Sequence, residues 1–143
     1  MYSLKNSYGD LLQEARMMGL QVVEGTIEGD HLGRYEHERH RITIDGRIND
    51  NQKRVALQHE IIHAEHFRIG MNRWMDPRTE EVKTRRETAL RLVDLRDYAQ
   101  AEQTYAACPF KIANELRVTV GVIQDIQDIL ENEPSRRNIA YAY

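Results

Sequence analysis

Two histidines four residues apart, His59 and His63, with Glu60 between them, are the side chains in this sequence best suited to chemistry. On a helix that spacing stacks both imidazoles one turn apart on a single face. Both then reach one metal ion, which tetrahedral zinc holds at about 2.0–2.1 Å from each nitrogen. Glu60 stands on the same rim, placed to handle the proton of a water in the site. His59-Glu60-Ile61-Ile62-His63 therefore reads as two ligands and a general base, the His-Glu-x-x-His pattern of metallopeptidases. In a chain with six histidines among 143 residues, chance alone produces such a match at roughly a few per cent. The surrounding elements have to support it.

A catalytic zinc takes three protein ligands and keeps one position open. His66 rises about 10 Å above His59 along a straight helix, too far to share an ion. The longer pattern His-Glu-x-x-His-x-x-Gly-x-x-His asks for glycine and histidine where this chain has His66 and Ile69, which excludes that class. A carboxylate from the next helix is the alternative, with Asp76, Glu80, Glu81 and Glu87 as candidates. Asp76 is better used as a helix cap. Glu81 shares a helical face with Thr88, Leu92 and Leu95, the side expected to pack inward. Glu80 lines up with Glu87, Arg91 and Asp94 on a face expected to be solvated. Glu81 is thus the preferred third ligand, and Glu80 and Glu87 are the alternatives.

The elements that must position these groups follow from periodicity and punctuation. A first helix spans 6–18, with Leu11, Leu12, Ala15 and Met18 at helical spacing and Gly19 behind it. Leu20–Val23 reads as a short strand. Residues 33–36 and 41–45 form the arms of a hairpin, Ile42 and Ile44 sharing one face. Asn49 or Asp50 caps the motif helix, Gln52 completing a capping box with Asn49, and the helix runs to about Phe67, with Gly70 ending it. Asp76-Pro77 starts a further helix that continues to about Asp97 through Val82, Ala89, Leu92, Val93 and Leu95. Shorter helices follow near 98–107 and 109–117, and Thr119 caps a last one, which Pro134 stops. Residues 136–143 read as a loose tail. His31, His37 and His40 lie in or beside turns and read as solvated. Tyr35 and Tyr98 fit packing roles better than catalytic ones.

Composition bounds the rest. The length suits one domain, residues 1–135, with a helical C-terminal part at about 98–133. No apolar run approaches the roughly 20 residues that span a bilayer, and Met1–Asn6 lack the apolar stretch of a signal peptide. Cys108 is the only cysteine, which fits a reducing cytoplasm. A net charge of −3 gives no general affinity for nucleic acid. Residues 111–119 are faintly helix-turn-helix-like, but Asp125, Asp128 and Glu131 make the second helix acidic, so a structural cap on the core is the expected role.

Together Gly33-x-Tyr35, Ile42-Thr43-Ile44-Asp45, the run Arg54 to His63, and Glu81 followed by Ala89-x-x-Leu92-Val93 resemble the ImmA/IrrE metallopeptidases from about Leu20 to Leu95. Family members commonly carry Gly where this chain has Ile62, and a Glu-x-x-Ala-x-x-Phe-Ala-like helix where this chain is rich in Thr and Arg. The resemblance implies a zinc-dependent endopeptidase of the gluzincin type, whose target is often a helix-turn-helix repressor of a phage or mobile element. The expected fold is α+β and zincin-like, a small antiparallel sheet packed on the active-site helix with a helical C-terminal half. His59, His63 and Glu81 are expected to hold Zn²⁺, with Glu60 catalytic. An extended substrate is expected to add along the Arg41–Asp45 strand edge. The rival reading is a zinc-fold binding module that inactivates a repressor stoichiometrically.

Overall fold

A computed structural model describes residues 5–142; the start of the N-terminal segment and the end of the expected tail lie outside them. Among the described residues the fold is α+β, seven α-helices and one three-stranded sheet. The order is α1 (Tyr8–Met17), β1 (Gln21–Gly25), β2 (Gly33–Glu36), β3 (Arg41–Asp45), α2 (Asp50–Arg68), α3 (Pro77–Leu92), α4 (Leu95–Thr104), α5 (Pro109–Leu116), α6 (Val120–Asn132) and α7 (Pro134–Tyr141).

The helix starts are set by local chemistry. Ser7 and Asp10 form a reciprocal capping box on α1, and Asn49 and Gln52 form the same box on α2. Asp76 accepts from the Thr79 amide while Pro77 occupies the first helical position of α3. Gly70, at φ 77°, takes the left-handed conformation just past the end of α2.

The sheet is mixed rather than antiparallel. β2 pairs antiparallel with β3, as a hairpin should, but β1 pairs parallel with the other side of β3, Val22 opposite Ile42 and Glu24 opposite Ile44. The connection over 26–32 carries the chain past the position of β3, so β3 becomes the central strand. The Arg41–Asp45 strand accordingly offers no free edge to a substrate. The open edge on the α2 side of the fold belongs to β2. Because Asp45 N–H donates to Leu32 C=O, hydrogen-bonded pairs alternate from there, leaving the Gly33 and Tyr35 peptide groups facing away from β3.

One continuous core joins Ile42 and Ile44 of the sheet, Leu57 and Ile61 of α2, Leu11 of α1, and Ile112, Ile123 and Ile126 of the C-terminal helices. The helix expected to reach Asp97 ends at Leu92. Val93 is extended, and Asp94 accepts from the Arg96 and Asp97 amides to start α4. A side chain that caps locally ended the longer periodicity. Val82, expected inward, is 63% exposed, since the buried stripe of α3 runs through Thr84, Thr88 and Leu92. Residues 134–141, in part the expected loose tail, form α7: Pro134 starts a helix, Ala140 is buried, and α7 packs on α4 and α6. The helix-turn-helix-like pair α5–α6 spends its apolar face on the core, and Asp125 pairs with Arg85 of α3 at 2.8 Å.

Candidate metal centre

Helix α2 lies with one flank on the sheet and the other on α3, so its histidine rim opens between them. Nε2 of His59 and Nε2 of His63 are 3.1 Å apart, and Oε1 of Glu81 sits 3.1 Å from the first and 3.0 Å from the second. These three atoms form a group that could hold a metal ion. Ligands at about 2.0–2.1 Å in a tetrahedron lie about 3.3 Å from one another, so the donor set and its spacing fit an ion with small adjustment. Glu81 stands at the N-terminal end of the buried stripe of α3, where its carboxylate reaches over the rim while its stem stays half-exposed.

The electrostatics point the same way. Burial alone would raise the Glu81 carboxyl, but its hydrogen bonds to His59 and His63 hold it well below the usual carboxylate range. Burial likewise opposes charge on His63, and the Glu81 hydrogen bond, the Glu60 charge and Glu80 outweigh it, raising the imidazole to about 9. Such a cluster demands a positive charge in its centre, supplied by protons or by a metal. Metal uptake should therefore weaken by about tenfold for each pH unit below about 9, as the ion competes with the His63 proton. Isothermal titration with Zn²⁺ across pH 6 to 9 checks this. The metal-free fold carries the opposite sign. Its charged His63 contributes stability that is fully present below the ordinary value of 6.5 and is lost as pH rises through about 9.

Glu60 is 8% exposed and burial raises its pKa, with the charges of His59 and His63 opposing. It sits under the open edge strand at Gly33. A Cβ there would lie 3.1 Å from Glu60 Cγ and 3.3 Å from its Oε2, with Ile44 Cδ1 also at 3.3 Å. Glycine at this position is what lets the carboxylate occupy the floor of the cleft. Gly33→Ala is expected to push Glu60 out of line, lowering any hydrolytic turnover about 10- to 100-fold with the bound metal retained. Rate measurement beside elemental analysis separates the two effects.

The cleft has a volume of about 720 Å³ and is walled by the β2 strand, the histidine rim and the 72–77 segment. Tyr35 lines it, its hydroxyl 2.7 Å from His37 Nδ1, and His37 stacks on Phe67 with ring centroids 4.1 Å apart. His37 is exposed, as expected, and these contacts hold it beside the cleft wall. Tyr98 is buried elsewhere and donates to Glu102.

Two residues weighed only as metal ligands take a different place near the centre. Glu80, assigned to a solvated face, has a side chain only 17% exposed and accepts from both His63 and His66. His66 is 5% exposed and sits between Glu80 and Glu87 of α3, off the metal group. The available signal was the seven-residue spacing of Glu80 and Glu87, two turns on one face, opposite a histidine three residues past His63. No protein-family model, curated protein or solved structure matches the chain.

Proposed function

We propose that this protein is a zinc-dependent endopeptidase with a zincin-like arrangement, His59, His63 and Glu81 holding the ion. The observation that carries the reading is the convergence of those three donor atoms beside a buried carboxylate, Glu60, at the floor of an open cleft. Bound zinc would supply Lewis acidity to a water and to the scissile carbonyl. Glu60, raised by burial toward the working range of a general base, takes the proton of the attacking water and passes it to the leaving amine. The outward peptide groups of Gly33 and Tyr35 supply main-chain hydrogen bonds to an extended substrate, which replaces the β3 edge as the docking strand. A strand added there gains affinity with little sequence readout, so selection among targets has to come from the partner's fold or from a docking contact. A helix-turn-helix repressor in the cytoplasm, the target class implied by the ImmA/IrrE resemblance, is the proposed substrate.

Incubating candidate repressors with wild-type protein and with Glu60→Gln, then reading intact masses and operator binding, tests this. A single cut made only by the wild type is expected. Equal loss of operator binding with both proteins and no cut would establish the stoichiometric binding module instead.

A further inference from the structure

Oε2 of Glu80 is the meeting point of three donors that the hydrolytic scheme does not use. It lies 2.7 Å from His63 Nδ1, 2.7 Å from His66 Nδ1 and 2.8 Å from Thr84 Oγ1. All of these atoms are on the side of the His63 ring away from Nε2, which faces Glu81 and His59. A carboxylate only accepts hydrogen bonds, so the contact places a proton on Nδ1 of His63. The ring of a neutral imidazole then presents its lone pair at Nε2, toward the ligand cluster.

The carboxylate itself is braced. Thr84 Oγ1 also lies 2.8 Å from the Glu80 backbone carbonyl, so its single proton is shared between that oxygen and Oε2, and the hydroxyl stays beside the carboxylate. His66 fills the flank of Glu80 from α2, and its other nitrogen meets Glu87 Oε2 at 3.2 Å, two turns along α3. Glu87 is in turn paired with Lys83 at 3.1 Å. Lateral movement of Glu80 would therefore break contacts on both helices. His59, by contrast, meets Glu81 and His63 through Nε2 among the described residues.

We infer that Glu80, braced by His66 and Thr84, is a positioning residue that holds His63 in the Nδ1–H tautomer and aims its Nε2 into the metal centre. This rests on the metal reading above and adds to it an outer carboxylate contributed by the residue next to the ligand Glu81. Adjacent carboxylates on α3 thereby divide the work: Glu81 reaches the ion directly, and Glu80 reaches it through His63. Such outer partners govern how basic and how well oriented a ligand is, and removing one costs about 10–100-fold in metal affinity.

The test uses the full chain as wild type, Glu80→Ala, Glu80→Gln and His59→Ala. Zn²⁺ affinity is measured against a competing chelator, the Co²⁺-substituted forms are read by visible absorption, and the His63 ring nitrogens are read by heteronuclear NMR. Wild type is expected to show a hydrogen-bonded Nδ1 proton on His63 and metal-shifted Nε2. Glu80→Ala is expected to lose about 10–100-fold in Zn²⁺ affinity, to change the Co²⁺ spectrum and to lose that proton signal. Glu80→Gln keeps a weaker acceptor and should fall between the two, and it decides the question if Glu80→Ala does not fold. Unchanged affinity, spectrum and tautomer in the variants, with or without a lower melting temperature, would overturn the positioning role while leaving the metal reading intact. A wild-type chain that takes up no more Zn²⁺ than His59→Ala would overturn both.

Discussion

Replacing either His59 or His63 by alanine abolishes stoichiometric metal binding, whereas Glu60→Gln leaves it in place: this is the expected pattern for the centre described. Each histidine supplies one of three protein donors within 4.8 Å of one another. Metal-binding free energies at such sites reach roughly 10 kcal/mol or more, and a lost ligand removes about a third. The affinity then falls at least about a hundredfold. The neighbouring cluster offers no substitute, because His66 is committed to Glu80 and Glu87. Glu60 lies outside the group of donor atoms, so its amide variant keeps the ion. On the proposed mechanism, Glu60→Gln removes proton transfer, worth about 10²–10⁴-fold in turnover. Elemental analysis of the purified proteins, after Zn²⁺ loading and desalting, reads the first effect, and the repressor-cleavage rate reads the second. Wild-type protein that retains no stoichiometric metal would remove the basis of the proposed activity.

The largest expected effect on stability lies away from the cleft, at Arg54. This side chain is 3% exposed, and among the described residues its guanidinium pairs with no carboxylate. It donates instead to backbone carbonyls: Asn6 at 3.0 Å, Arg117 at 2.9 Å, Leu116 at 3.3 Å, Leu92 at 3.4 Å, and Lys5. Leu92 and Leu116 are the last residues of α3 and α5. Those helix ends carry unsatisfied carbonyls and partial negative charge, so one buried cation closes both. Burial, and secondarily the charge of Arg117, lower its pKa to about 10, and it stays charged at neutral pH. Arg54→Leu keeps much of the volume but orphans these carbonyls, at an expected cost of about 3–5 kcal/mol, the scale of several charge-assisted hydrogen bonds. Thermal denaturation should show a fall of about 10 °C or more. Arg54→Lys should recover only part of it, since an ammonium lacks the fork that reaches three segments at once. A melting temperature within a few degrees of wild type in Arg54→Leu would show that water satisfies these carbonyls.

Much of this molecule is written in short-range terms, and those parts are legible in the sequence. The His59–His63 spacing works on any straight helix, because 3.6 residues per turn is independent of what the helix packs against. The same holds for the Asn49–Gln52 box, the Asp76-Pro77 start and the Gly70 exit, each a hydrogen bond or dihedral within a few residues. Glu81 was reachable because the inward stripe of α3 points to it.

The rest depended on where elements meet. Strand alternation names the faces of β3 but says nothing of its neighbours, so the parallel pairing of β1, and with it the loss of the Arg41–Asp45 edge, waited for the sheet to assemble. Amphipathicity placed Glu80 on the polar side of α3, yet α2 packs across both sides and covers it with His63 and His66. Residues after Pro134 read as tail because their apolar pattern is sparse; Ala140 earns its burial only from the groove between α4 and α6. Hydrophobic periodicity reports which side of an element prefers to leave water. Which partner takes that side, and which polar groups are trapped at its margin, is a sum of long-range contacts that no local window contains.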